Sequence, residues 1–119
     1  MFEPCPASPN CVSTEAQDKR HALPPFRFEV EHAPAWAEIR AAVLSFPRTT
    51  LRTERENYLQ VECRSRTLGF VDDLEVELRP SEGVVRVRSA ARSGYYDFGV
   101  NRRRVEQLRK LLRARDLIY

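Results

Sequence analysis

The stretch "VDDLEVELRPSEGVVRVRSAA", residues 71–91, decides the fold. Asp72, Leu74, Val76 and Leu78 alternate with Asp73, Glu75, Glu77 and Arg79; beyond the turn, Val85, Val87 and Ser89 alternate with Arg86, Arg88 and Ala90. A repeat of two is the side-chain period of a strand with one buried face. Pro80 and Gly83 in "PSEG" supply the turn. Pairing Arg79 with Val84 sets Leu78 opposite Val85, Val76 opposite Val87 and Leu74 opposite Ser89. The other face then matches Glu77 with Arg86 and Glu75 with Arg88. A slip of one residue would turn every apolar side chain to water, so the parity of the register is fixed. Each charge pair adds only about 0.2–1 kcal/mol, so the ladder reads as a solvated face.

Upstream, Leu59, Val61, Cys63 and Ser65 alternate with Tyr58, Gln60, Glu62 and Arg64, and "RTLGF" with Gly69 turns the chain. Ser65 opposite Asp72 places Cys63 against Leu74, Val61 against Val76 and Arg64 against Asp73. Before these strands, "APAWAEIRAAVLSFP" carries Trp36, Ile39, Val43 and Phe46 at helical spacing, with Pro34 in the first turn and Pro47 as the stop. "FRFEV" reads as a short strand ahead of that helix. A last helix starts near Asn101, a helix-capping residue type. Val105, Leu108, Leu111 and Leu112 form its buried stripe, leaving Arg102, Arg103, Glu106, Arg109, Lys110 and Arg113 outward. These elements predict an α+β two-layer sandwich: an antiparallel sheet of about four strands with two helices on one face.

A length of 119 residues suits a single domain over 1–119. Residues 1–25 hold five prolines and no sustained apolar period, so they read as a proline-rich arm. No run approaches the roughly 20 apolar residues of a membrane span, and the opening "MFEPCPASPN" is not a secretory signal as written, so a cytoplasmic location is expected. The net charge is +3, yet residues 101–119 hold seven Arg or Lys against two acids, an asymmetry that suits an anionic partner. A nucleic-acid partner is disfavoured: Tyr58, Tyr95 and Tyr96 do not form the paired motif of an RNA-recognition sheet, and no DNA-reading module is present.

The core face of the sheet ends in polar groups, Ser65, Asp72 and Ser89, next to "SGYYDFGVNRRRVE" at 93–106. A carboxylate on an inward position must be paired or hydrogen-bonded. The expected partners of Asp72 are Arg92, Arg102 or the serines, and the bland reading is a tie between the first hairpin and the last helix. The functional reading is an anion site built on the helix start, with Asp72, Arg92, Asp97, Asn101 and Arg102 as its residues. Gly94 and Gly99 have the outer spacing of a Walker loop but lack its Lys-Ser/Thr, and "DFG" occurs in a chain far too short for a kinase.

In "CPASPNC", residues 5–11, Cys5 and Cys11 read as free thiols in a reducing compartment, with a disulfide as the alternative. Cys5, Cys11 and His21 match no zinc spacing, so neither a metal nor another cofactor is expected. A hydrolase-like enzyme using Cys11 or Ser65 with Asp72 and His21 is the competing reading. Cys63, on the apolar stripe, reads as packing. A purely structural or protein-binding role would show as an exposed apolar patch.

Three stretches, "CPASPNCVST", "FVDDLEVEL" and "VRSAARSGYYDFGVNRRRVEQLR", together resemble the bacterial and chloroplast family known as domain of unknown function 1499. The resemblance spans nearly the whole chain, and Ala91 stands where the family pattern has serine. It implies no established activity; relatives often carry a membrane or export segment, which suits an envelope-associated role. It also implies that the Cys-Pro start belongs to the domain. Cys5, Cys11, Asp72, Asp73, Arg92, Asp97, Asn101 and Arg102 would then share one neighbourhood. The combined expectation is a small binding or accessory module with a polar, arginine-bearing corner that takes a small anionic ligand or a protein partner.

Overall fold

The computed structural model describes residues 2–66 and 68–119; Met1 of the arm and Thr67 of the first expected turn lie outside the described residues. Among the described residues the order is β1 (Cys11–Ser13), β2 (Phe26–Arg27), α1 (Trp36–Leu44), β3 (Thr49–Arg55), β4 (Tyr58–Arg64), β5 (Val71–Arg79), β6 (Val84–Ala91) and α2 (Val100–Ala114). The strands form one antiparallel sheet in the order β1-β6-β5-β4-β3, and β2 shares the β6 edge with β1. The sheet is therefore an α+β sandwich layer of six strands instead of about four. The two additional strands are short or polar: β1 spans three residues, and β3 ("TTLRTER") offers only Leu51 to the core, with a register shift between Leu51 and Thr53, while the expected "FRFEV" strand pairs only over Phe26–Arg27 as β2.

The β5–β6 hairpin pairs as its alternation requires, with Arg79 opposite Val84, Val76 opposite Val87 and Leu74 opposite Ser89. Gly83 closes the turn at φ +68°, where a Cβ would stand 2.8 Å from the Phe28 carbonyl oxygen, so glycine is needed twice over. The β4–β5 pairing keeps the expected faces but sits two residues from the expected register: Cys63 opposes Asp72, Val61 opposes Leu74 and Leu59 opposes Val76. Burial constrains register only to within an even shift. The shorter pairing leaves Ser65 in the loop, where its N–H donates to the Phe70 carbonyl (2.8 Å) and its Oγ accepts from the Phe70 N–H (2.9 Å).

On the inner face, Leu59, Val61, Leu74, Val76, Val85 and Val87 are fully buried beneath Ile39, Ala42 and Val43 of α1 and Val105, Leu108 and Leu112 of α2. Each such aliphatic side chain contributes roughly 1.5–3 kcal/mol of burial free energy. Arg109, expected outward, is instead buried. Its guanidinium lies 4.3 Å from the Phe26 ring centroid and donates to the Pro24 carbonyl at 2.8 Å, fastening the arm to α2. The outer face carries the charge ladder, and the arm crosses part of it, with Arg79 pairing with Glu15 (2.9 Å) and Arg88 reaching the Pro4 carbonyl. No helix among the described residues is long and apolar enough to cross a membrane.

Candidate functional site

The end of the sheet where β3 begins, β4 ends, β5 begins and β6 ends gathers most of the residues expected to be functional. Asp72, on the inner face of β5, is buried, and its partner is Arg104, whose Nη2 lies 2.8 Å from Asp72 Oδ2. Arg92 and Arg102, the expected partners, point elsewhere. Helical spacing explains the choice: 101, 104, 105, 108 and 112 share one face of α2, and that face is turned to the sheet. Arg92 Nη2 bonds Asp73 Oδ1 (2.6 Å) and Glu62 Oε2 (2.9 Å) on the outer face. Those two carboxylates are direct cross-strand neighbours in the observed register, so Arg92 relieves a like-charge pair. Arg102 donates to the backbone carbonyls of Arg20 (3.1 Å) and Ala22 (3.4 Å) and so clamps the arm.

Asn101 is fully buried at the centre of a network. Its Oδ1 accepts from Ser89 Oγ (2.6 Å) and Arg104 Nη1 (2.8 Å), while its Nδ2 donates to Asp97 Oδ2 (2.8 Å) and the Asn10 carbonyl (3.3 Å). Asn101 is therefore not the helix cap. Gly99 holds the cap position at φ +78°, and Asp97 accepts the free N–H groups of Gly99 (2.8 Å) and Asn101 (3.1 Å). The helix start is thereby answered from within the chain. Asn10 Nδ2 donates to the Gly94 carbonyl at 2.6 Å, adding the arm to the same assembly. Asp72, Asp97 and Asn101 thus converge; Asp73 and Arg92 pair on the opposite face.

Environment separates the two aspartates. Burial raises the Asp72 carboxyl above its usual range, and the pull of Arg104 only partly offsets this. Burial also works to raise Asp97, but hydrogen bonds from Asn101 and the Gly99 N–H outweigh it and hold that carboxyl below its usual range. Within the network on the inner face, Arg104 and Asp72 form a direct ion pair.

The arm's cysteines differ from expectation: Cys5 and Cys11 are joined in a disulfide, and Cys11 is fully buried. Cys11 therefore has no thiol to act as a nucleophile. His21 has both ring nitrogens engaged, Nδ1 with Asp18 (2.6 Å) and Nε2 with the Ser8 carbonyl (2.8 Å). Ser65 accepts from the Phe70 N–H in its loop and borders the same depression as Asp72, while the hydrogen bonds of His21 go to Asp18 and Ser8, neither of them in the hydrolase-like set. Cys63 is free and buried, and burial pushes its thiol pKa up, which suits packing.

Two depressions flank the network. One, about 200 Å³, is lined by Arg48, Arg64, Arg103 and Arg104 with Thr49, Cys63 and Val100, and none of the described residues lining it is acidic. The other, about 320 Å³, lies between the β4–β5 and β6–α2 loops and is lined by Leu68, Phe70, Tyr96, Phe98 and Val100 above Asp72 and Asp97. Val100 borders both. Sequence reasoning weighed Arg103 as a donor at the helix start but did not single out Asn10, Arg48, Arg64 or Arg104. The helical spacing of Arg104 with Val105 and Leu108 was the available signal; nothing local marks Arg48 or Arg64.

A family model described as "Protein of unknown function (DUF1499)" matches residues 1–112. No curated protein matches the chain. No solved structure matches it either.

Proposed function

We propose, for a chain that belongs to the DUF1499 family, a binding module that accepts an anionic group in the arginine-lined depression between the start of α2 and the paired ends of β3 and β4. The observation that carries this reading is the gathering of Arg48, Arg64, Arg103 and Arg104 around one depression with no acidic residue among the described lining. Arginine side chains suit a phosphate, sulfate or carboxylate because they offer planar, two-point hydrogen bonds; Arg64 lies 3.7 Å from Glu62 and Arg103 bonds the Phe98 carbonyl, so an anion would share these groups with contacts already made. Arg104 is already tied to Asp72, and Asn101 and Asp97 fix the turn from which Arg103 projects. In this reading Asp72, Asp97 and Asn101 position the site, Arg48, Arg64 and Arg103 are the direct ligands, and Arg92 and Arg102 serve the scaffold. The Cys5–Cys11 bond favours an oxidising compartment over the cytoplasm.

Calorimetric titration of inorganic phosphate at low ionic strength tests the proposal. Arg103→Gln and Arg64→Gln should each weaken binding about tenfold, the effect of one charge-assisted hydrogen bond, while Arg92→Gln leaves it unchanged. Absence of phosphate binding, or equal losses in all three variants, contradicts the reading.

A further inference from the structure

The β4–β5 and β6–α2 loops end on exposed apolar side chains: Phe98 is 87% exposed, Leu68 72%, Tyr96 69% and Phe70 59%. Both loops stand at the same end of the sheet, because Asp72 pairs with Ala91 and the Arg92 N–H donates to the Val71 carbonyl at 3.0 Å. Large apolar side chains are common on surfaces one at a time, but a contiguous group of them marks an interaction surface. Phe98 adopts φ +55°, a backbone conformation unfavourable to a bulky residue, and Arg103 holds it there by donating to the Phe98 carbonyl at 2.9 Å. The sequence thus maintains an exposed ring at a strained position.

The exposed charges flanking these loops are mainly positive, while the nearby acids Asp72, Asp73 and Glu62 are each paired with an arginine. Arg48, Arg64, Arg66 and Arg103 are all exposed beside them. The β4–β5 loop contains no acid, and Asp97, the one acid of the β6–α2 loop, spends both oxygens on the N–H groups of Gly99 and Asn101. A rim rich in exposed arginine around an apolar tip complements a surface that is anionic outside and apolar beneath. A bilayer containing anionic lipid is such a surface: apolar side chains enter the interface, tyrosines rest at the headgroup level, and arginines meet the phosphates.

We infer that the paired loops, with Leu68, Phe70, Tyr96 and Phe98 at their tips and arginines behind them, dock this protein on the surface of anionic lipid bilayers. This surface shares arginines with the phosphate pocket but stands on a separate observation, the two apolar loops.

Co-sedimentation of the full chain with vesicles of phosphatidylcholine alone, or of phosphatidylcholine mixed with phosphatidylglycerol, tests it. The mixed vesicles should bind the protein at low salt and the neutral ones far less, with binding falling as salt rises; this arm needs no variant. Phe98→Ser should lower partitioning about tenfold and Arg66→Gln about fivefold, with thermal unfolding matching the parent to show that the variants fold. Vesicle binding without phosphate binding supports the docking surface and removes the pocket. Phosphate binding without vesicle binding overturns the docking surface alone. Partitioning unchanged by Phe98→Ser, or a dimer abolished by that substitution in a protein that ignores vesicles, also overturns it.

Discussion

Replacing Arg104 by methionine keeps the aliphatic stem but leaves Asp72 without its counter-charge. At the observed 2.8 Å and an effective dielectric of about 20, the gross attraction is about 6 kcal/mol. Both side chains are largely withdrawn from water, 14% and 13% exposed, so desolvation offsets much of that attraction while the pair is intact. Breaking a buried pair by removing one partner costs about 3–5 kcal/mol. Urea unfolding at neutral pH, followed by Trp36 fluorescence, should register a loss in that range. The loss should shrink as the medium becomes acidic. Asp72 already has a raised pKa, chiefly from burial, and without Arg104 it rises further. An acid raised on folding contributes stability below its unfolded pKa that disappears as pH rises through the folded one, so the variant's deficit belongs to the higher pH. Adding Asp72→Asn to Arg104→Met should restore part of the stability, because a buried amide costs less than a buried unpaired carboxylate. A loss under about 1 kcal/mol, or one independent of pH, would refute the reasoning.

Asn101→Leu should cost about 2–3 kcal/mol in the same assay, because buried Ser89 and half-buried Arg104 and Asp97 lose a partner together. Reduction of the Cys5–Cys11 bond should lower unfolding free energy by about 2 kcal/mol, the loop-closure effect for a short ring. A thiol reagent should find Cys63 unreactive in the native oxidised protein and find one thiol after denaturation. Gly83→Ala should destabilise by more than about 1 kcal/mol, since both its φ and its contact with the Phe28 carbonyl exclude a Cβ; an unchanged midpoint would contradict the turn geometry.

The alternation of residues 71–91 carried enough information to set β5 against β6, because both strands are half-apolar and the turn between them is short. The neighbouring pairing was legible only in its parity. Nothing in the β4 pattern distinguishes Asp72 opposite Ser65 from Asp72 opposite Cys63, and the observed choice places Glu62 beside Asp73, a like-charge pair that Arg92 bridges and Arg52 further neutralises. That an inward carboxylate required an answer from the closing helix followed from desolvation alone, whereas the choice of Arg104 required the helical phase of Asn101, Val105 and Leu108. The disulfide depended on the fold of the arm: β1 pairs with β6, and Cys5 returns over Cys11. The arginine depression assembles residues from the β3 start, the β4 end and α2, which are distant in the chain, so no motif announces it.

Nuclear magnetic resonance of the arginine Nε–Hε groups during phosphate titration addresses the site most directly. Resonances of Arg48, Arg64 and Arg103 should shift together with one affinity while those of Arg92 and Arg102 remain in place. Shifts centred on Arg92 or Arg102, or no saturable shift at any arginine, would contradict the account.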